Sequence, residues 1–310
     1  MVYKPRYLVY ILLVCLVGIL AVRYTMERVY TARTQDYLNN LFTPIDDLNV
    51  YEESKPHLYG GTTKQNHAVL MIHGYSSSAE EFKLLTEKLK DAGIPHYAML
   101  LTGYGRRDFG LLYKAEPEDW LYDGILAYDI LASFAEEVSI VGHSTGGTIA
   151  VYIAQHRPVK HLILSGPNLF PAPSDRRYRA ISQVPIVSDL IRWFLPVFEK
   201  PIRSGRVTNT DTLDPESALQ DFHYKTLPMQ SLVAQWELQD MVDITEARSQ
   251  SLTLAYGEQD ISVDVAALIA FLKKKRIPFQ AFSFANSAHN ILRDYEKHAA
   301  VDTIFNVLKQ

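Results

Sequence analysis

The chain has a single cysteine, Cys15, among 310 residues. One thiol excludes an intramolecular disulfide and a multi-cysteine metal site, and its place inside an apolar run removes it as a nucleophile for the globular part. Charge of one sign is also scarce: 31 Lys and Arg stand against 35 Asp and Glu, a net charge of −4 with the basic residues scattered. No basic face is available to neutralise a phosphate backbone, so nucleic acid is not an expected partner. Internal repeats and low-complexity tracts are absent. Long uncharged apolar runs are absent as well, with one exception.

That exception, "YLVYILLVCLVGILAV" (residues 7–22), follows Lys4 and Arg6. It falls slightly short of the ~20 residues of an ideal span. Tyr7, Tyr10 and Tyr24 are nevertheless spaced to sit at the two interfaces. Residues 1–25 are therefore expected to form an N-terminal transmembrane anchor. The competing reading is a cleaved signal peptide, but the small-x-small pattern that precedes a cleavage site is poor around Ile19 to Ala21. A lipoprotein cysteine at Cys15 is disfavoured by Val14, where a very small residue is needed. Lys4 and Arg6 before the run face Arg23, Arg28 and Arg33 after it, giving little charge asymmetry; the adopted orientation places the catalytic domain on the non-cytoplasmic side. Residues 26–54, polar with spaced Tyr30, Tyr37, Leu38 and Leu41, read as a stalk helix and connector.

Residues 55–310 alternate short β-rich runs with stretches of helical period, which predicts an α/β domain with a mostly parallel central sheet flanked by helices. The strand candidates are residues 68–73, 96–101, 138–143, 161–166, 251–257 and 278–284. The helix candidates are Ala79 to Ala92, Glu118 to Phe134, Thr145 to His156, Val263 to Arg276 and Asn290 to Leu308. Between about 167 and 242 no clear strand is visible, and "VPIVSDLIRWFLPVFEK" (184–200) and "SLVAQWELQDMV" (231–242) predict an inserted helical cap. Pro185, Asp189, Arg192 and Pro196 make a second membrane span implausible there. The apolar residues of this cap would either line an acyl-chain site or pack on the domain below.

"VGHSTGGTIA" (141–150) sets Ser144 between Gly142 and Gly146, after a strand candidate and before a helix candidate. By composition a Gly-x-Ser-x-Gly arises in roughly one such chain in twenty-five, so the strand-turn-helix context carries the reading. Such a turn needs small flanking residues, and the two glycines remove the side chains that would collide with neighbouring backbone. Tight strand-to-helix packing alone would use the same glycines. A serine becomes a nucleophile only beside a base, so a histidine and a carboxylate must follow. Asp260, in the loop after 251–257, and His289, after 278–284, occur in that order. Asp264 is the next acid candidate. His298 falls inside the terminal helix, and His143 reads as packing beside the serine. The backbone N–H of Thr145 at a helix start and that of Tyr75 in "MIHGYSSS" (71–78) are the candidate oxyanion donors, with His73 bonded to loop backbone. "GYGRRD" (103–108) lacks the third glycine of a phosphate-binding loop.

With "HGYSSSAEEF", "LLTGYG", "PEDW", "GHSTGG", "YGEQD" and "SAHN", the chain from about Val69 to Leu308 resembles the α/β-hydrolase fold, in its bacterial carboxylesterase and monoacylglycerol lipase branch. The resemblance implies a triad of Ser144, Asp260 and His289, an oxyanion hole from the Tyr75 and Thr145 amides, and a lid between the strands ending near Gly166 and Gly257. It implies hydrolysis of a small-molecule acyl ester, of lipid-like or medium chain length, through an acyl-enzyme, with no metal or organic cofactor. Gly103-Tyr104-Gly105 departs from the Gly-His-Gly of many relatives. Relatives that cleave carbon–halogen or epoxide bonds use a carboxylate nucleophile, which Ser144 argues against. An aminopeptidase, a thioesterase or an acyltransferase would keep the same triad; for an aminopeptidase, Glu199, Asp211 and Glu216 are the cap acids able to meet an amine. A non-catalytic membrane-anchored binding protein is the remaining class.

Overall fold

Four runs of apolar residues are buried on both faces, the condition that favours parallel strands covered by helices on each side. In a computed structural model they are β2 (Gln65–Ile72), β4 (Ala135–His143), β5 (Val159–Ser165) and β6 (Ser249–Gly257) of a seven-stranded sheet completed by β1 (His57–Tyr59), β3 (His96–Ala98) and β7 (Gln280–Phe284). The spatial order is β7-β6-β5-β4-β2-β3-β1, with all neighbours parallel except β1 against β3. The structure describes residues 5–41, 44–45, 49–61, 63–176, 179–180, 183–202, 205–206 and 208–310. Of the residues singled out above, Lys4 lies outside this set, as do the side chains of Arg6, Tyr7, Tyr30, Tyr37, Leu38, Leu41 and Pro185.

Alternation along each strand splits the interior into two cores, since successive side chains point to opposite faces. Val69 and Met71 of β2 face Leu85 and Leu89 of α2 (Lys83–Asp91) and Ile304 and Leu308 of the last helix (Lys297–Leu308). Leu70 and Ile72 face Trp120 and Leu131 of α3 (Pro117–Ala132) and Ile149 and Ile153 of α4 (Thr145–His156). Burying both faces leaves the carboxyl ends of the parallel strands at one edge, where α/β sheets collect their chemistry.

The cap lies between β5 and β6 and contains α5 (Pro185–Phe194), α6 (Pro215–Gln220) and α7 (Met229–Asp240). It also holds a pair of three-residue antiparallel strands, Val197–Glu199 with Thr226–Pro228, where no strand is expected from the residues. Three residues ending in a proline are too short to display a period of two. α7 buries Val233, Ala234 and Leu238 against the domain. α5 does not: Ile186 is 73% exposed, and Leu190, Phe194 and Leu195 are also exposed. Part of the apolar surface of this segment therefore faces outward, while Val187, Ile191 and Trp193 are half-buried.

α1 (Pro5–Leu41) is one unbroken helix through the expected boundary at residue 25. Its stretch Val9–Arg33 is long and apolar enough to cross a bilayer. Beyond the apolar run the helix is attached to the domain: Gln35 Nε2 donates to the Arg107 carbonyl (2.8 Å), and Tyr51 Oη donates to Asn39 Oδ1 (2.9 Å). The Arg23 guanidinium stands 5.9 Å from the ring centre of Trp193 on α5.

After β6 come α8 (Val265–Lys275), β7 and α9 (Lys297–Leu308). Two differences from the predicted elements have local causes. The strand expected over 96–101 stops at Ala98, and the Leu101 N–H goes to His73 Nε2 (3.1 Å) instead. The last helix starts at Lys297 rather than Asn290, because Asp294 takes the backbone N–H groups of Leu213, Asp214, Ala288 and Tyr295 and holds residues before the helix in turns.

Candidate active site

Ser144 joins β4 to α4 with φ 52° and ψ −116°, a conformation that L residues avoid. The strain costs about 1–3 kcal/mol and persists only where the surroundings over-determine it. Here they do: Ser144 N–H donates to the Ser165 carbonyl (2.9 Å), and its own carbonyl accepts from Gly147 (2.9 Å) and Asn168 (3.0 Å). Neighbouring backbone is equally close. A Cβ on Gly146 would lie 2.0 Å from the Ile72 carbonyl oxygen, and one on Gly142 would lie 2.4 Å from the Gly146 carbonyl oxygen. Both glycines are thus required by contact with backbone.

His289 reaches this serine from the loop after β7, with Nε2 2.9 Å from Ser144 Oγ. Its Nδ1 is 2.8 Å from Asp260 Oδ2, in the loop after β6. A carboxylate only accepts, so Nδ1 carries the proton and Nε2 is left to accept from the serine hydroxyl. The other oxygen of Asp260 accepts from the N–H groups of Ser262 (2.8 Å) and Val263 (3.2 Å), fixing the carboxylate plane. Burial works against a charged ring at His289, but the charge and hydrogen bond of Asp260, with Asp211 behind them, raise its pKa above the ordinary 6.5. A base of this kind takes the serine proton while its partner stabilises the imidazolium.

The other predicted residues also converge on this edge. Gly74 stands so close that a Cβ there would be 3.2 Å from Ser144 Cβ, which brings the Gly74–Tyr75 loop against the serine. Thr145 begins α4, where the first N–H groups have no partner within the helix. His73 donates from Nδ1 to the Gly74 carbonyl (2.8 Å) and stays neutral, its pKa lowered by burial to about 4. His143 is buried, its ring 4.8 Å from that of His289, and burial holds its pKa well below the ordinary value. Asp264 caps α8 through the Ala267 N–H (2.8 Å), and His298 is exposed on α9. Neither joins the group.

Sequence reasoning missed three contributors. Asp294 ties the cap at Leu213 and Asp214 to the histidine loop at Ala288. Gly257 lets that loop cross the end of β6, since a Cβ there would meet the Ala288 carbonyl oxygen at 2.0 Å. Glu81, fully buried, accepts from the Gly74 N–H and from Asn290 Nδ2, both at 2.9 Å. Only the acid in "AEEF" hinted at the last. Asp211, considered above for an amine, spends its carboxylate on Arg206, Ser262 Oγ (2.7 Å) and the Ile261 N–H (3.2 Å).

The cleft over Ser144 is lined on the cap side by Lys200, Asp221, Phe222 and His223, and on the domain side by Tyr75, Glu80 and Arg293. Arg293 pairs with Asp221 and with Glu80 (2.8 Å), so these acids are engaged. Lys200 Nζ donates to Ser76 Oγ (2.8 Å), joining the cap to the loop of Tyr75. Gln235 Nε2 of α7 likewise donates to Thr145 Oγ1 (2.8 Å).

A parallel sheet with a strained serine at a strand-to-helix turn, capped between β5 and β6, defines the class: the fold is that of the α/β-hydrolases. Solved structures agree. A monoacylglycerol lipase of Paleococcus ferrophilus superposes with a TM-score of 0.64 at 16% identity over 82% of this chain and 97% of that one. The monoglyceride lipase of Saccharomyces cerevisiae gives 0.61 at 16% identity over 82% and 90%. More narrowly, the family model Hydrolase_4, described as serine aminopeptidase, S33, matches residues 63–296, and the chain belongs to this family. Among curated proteins, a carboxylesterase of Bacillus subtilis (strain 168) is 27% identical over 110 residues, 35% of this chain and 43% of the relative. A thermostable monoacylglycerol lipase of Bacillus sp. (strain H-257) is 27% identical over 90 residues, 29% of this chain and 36% of the relative. The matched segments thus span less than half of either relative.

Proposed function

We propose that this chain is a membrane-tethered serine hydrolase that cleaves carboxylic esters. Ser144 is the nucleophile, His289 the general base and then the acid, and Asp260 the residue that orients the ring and stabilises its charge. The Tyr75 and Thr145 amides receive the oxyanion. The observation that carries this reading is the continuous chain of contacts from Ser144 Oγ through His289 to Asp260, at 2.9 and 2.8 Å. Attack by Oγ on the acyl carbonyl moves its proton to Nε2; that proton then leaves with the alcohol, and water releases the acid from the acyl-enzyme.

The substrate we favour is a medium-chain ester of a hydroxyl-rich alcohol, a monoacylglycerol being the simplest. The polar lining by Lys200, His223 and Ser76 suits such an alcohol, and the two Bacillus relatives, a carboxylesterase and a monoacylglycerol lipase, point the same way. An aminopeptidase would need an unengaged acid in the cleft for the substrate amine, whereas Asp211, Asp221 and Glu80 are each bonded to arginine and the other two candidates, Glu199 and Glu216, do not line the cleft. The tether is the apolar stretch of α1 at residues 7–22, with residues 26–54 as connector, the cap at about 167–242, and the domain on the non-cytoplasmic side.

Fluorophosphonate labelling of wild type beside Ser144→Ala tests the enzyme reading; wild-type protein that takes no label sinks it. A series of p-nitrophenyl esters beside aminoacyl amides tests the bond, and preference for amides would replace this reading with the peptidase.

A further inference from the structure

The loop carrying Tyr75 and the loop carrying His289 come from opposite parts of the chain, and both must hold their places on Ser144 to fractions of an ångström. One buried side chain touches both. Glu81 lies on a single turn of 3-10 helix, Ala79–Phe82, with its residue only 3% exposed. Oε2 accepts the N–H of Gly74, the residue before Tyr75, and Oε1 accepts from the side chain of Asn290, the residue after His289. The His143 ring, itself against His289, has Nε2 3.7 Å from Oε1.

We propose that Glu81 is a positioning residue for the ester hydrolysis above, its carboxyl bracing the oxyanion loop against the base-bearing loop. The proposal rests on the serine-hydrolase reading. A carboxyl has the reach and the two acceptors to satisfy donors from both walls, and either donor left bare in this interior would forgo its hydration without a replacement partner. The brace also fits a neutral acid. Asn290 Oδ1 is buried with no hydrogen-bond partner among the described residues. A half-turn of that amide turns Oδ1 toward Oε1, ready to accept from a protonated Glu81. The groups around Glu81 favour that form. Burial foremost, then Asp221 from the cap and Glu80 beside it, outweigh His289 and the Gly74 N–H and raise its pKa to about 8. Arg293, from the histidine loop, also feels the Glu81 charge but is itself held between Asp221 and Glu80. His143, from the end of β4, stays neutral.

Glutamine keeps the shape and the bridge of the neutral acid with one additional N–H: its oxygen accepts from Gly74 and its NH₂ donates to Asn290 Oδ1. Leucine keeps the volume and removes both bonds. The test is kcat and KM on a p-nitrophenyl ester for the full chain in detergent, with circular dichroism as the folding control. Glu81→Leu is expected to lose about 10- to 100-fold in kcat with KM within about twofold, the loss typical of a misplaced catalytic group. Glu81→Gln is expected to stay within about threefold of wild type, because the bridge survives. A Glu81→Leu protein with wild-type kcat overturns the proposal, as does Glu81→Gln failing as badly as leucine. If leucine prevents folding, Asn290→Ala decides: it cuts only the histidine side of the brace, and unchanged kcat there overturns the proposal. A wild type that neither turns over esters nor labels at Ser144 sinks the underlying reading instead, a result distinct from these.

Discussion

A Cβ on Gly146 would stand 2.0 Å from the carbonyl oxygen of Ile72, closer than any non-bonded pair can approach. The obstacle is backbone of the adjacent strand β2, which cannot swing aside. Gly146→Ala should therefore cost more than about 3 kcal/mol or yield no folded protein, by the overpacking rule for a rigid site. Gly147→Ala is the control, since its nearest neighbour is Pro167 Cβ at 2.9 Å, and it should be tolerated better. Urea unfolding of the two variants measures the difference; equal midpoints would contradict the turn geometry.

Strain at Ser144 makes a separate prediction. With φ at 52°, alanine at this position keeps the conformational penalty and glycine relieves it. Both variants should be inactive, but Ser144→Gly should unfold at higher urea than Ser144→Ala, by about 1 kcal/mol. The reverse order would mean that the turn is not strained.

The raised pKa of His289 sets the acid side of the rate profile. Catalysis needs the ring neutral, so kcat/KM should rise with pH and level off above an apparent pKa higher than 6.5. Asp260→Asn removes the largest favourable contribution, so its acid limb should move to lower pH while the plateau falls about 10³- to 10⁴-fold. A profile whose midpoint is unmoved by this variant would show that another group is titrating.

Glu81 predicts a stability effect of definite sign. Its carboxyl keeps a proton up to about pH 8 in the fold, whereas the unfolded chain releases it near the ordinary 4.5. The stabilisation this confers is complete below 4.5 and is lost as pH rises toward 8. Glutamine has no proton to lose. The stability of Glu81→Gln relative to wild type should therefore grow between pH 5 and 8 and then stay constant, read from urea midpoints. Parallel curves would reject a buried neutral acid.

The membrane reading predicts that the full chain stays in the pellet after carbonate extraction. A chain starting at Arg23 should be released while keeping Ser144 labelling, because the bonds of Gln35 and Asn39 to the domain remain. Recovery of the full chain in the carbonate supernatant would defeat the tether.

What the sequence made visible follows from how local each signal is. The elbow was legible because Gly142, Ser144 and Gly146 sit within five residues, and Asp260 and His289 because each directly follows an apolar strand. The two-core sheet was legible from runs such as Ala68–Ile72, whose continuous burial needs both faces covered. The brace at Glu81 was not, since its partners lie 7 and 209 residues away and a pair of adjacent glutamates at a helix start reads as solvated. Asp294 was hidden in the same way. The outward face of α5 escaped as well, because an apolar stripe reads alike whether it covers a pocket or meets the surroundings.

The unbroken helix α1 bears on where this cleft can work. A chain joined to its anchor by a floppy connector sweeps a hemisphere and samples substrate from any direction. Here the apolar stretch continues as helix into segments pinned at Arg107 and Tyr51, and Arg23 lies against Trp193 of the cap. On the tether proposed above, this connection would act as a strut, carrying the cleft at a set height and tilt and reducing its freedom to rotation about the membrane normal and drift in the plane. Encounter with substrate would then be a two-dimensional problem, and esters residing in the same leaflet would meet the cleft far more often than those passing in the water above.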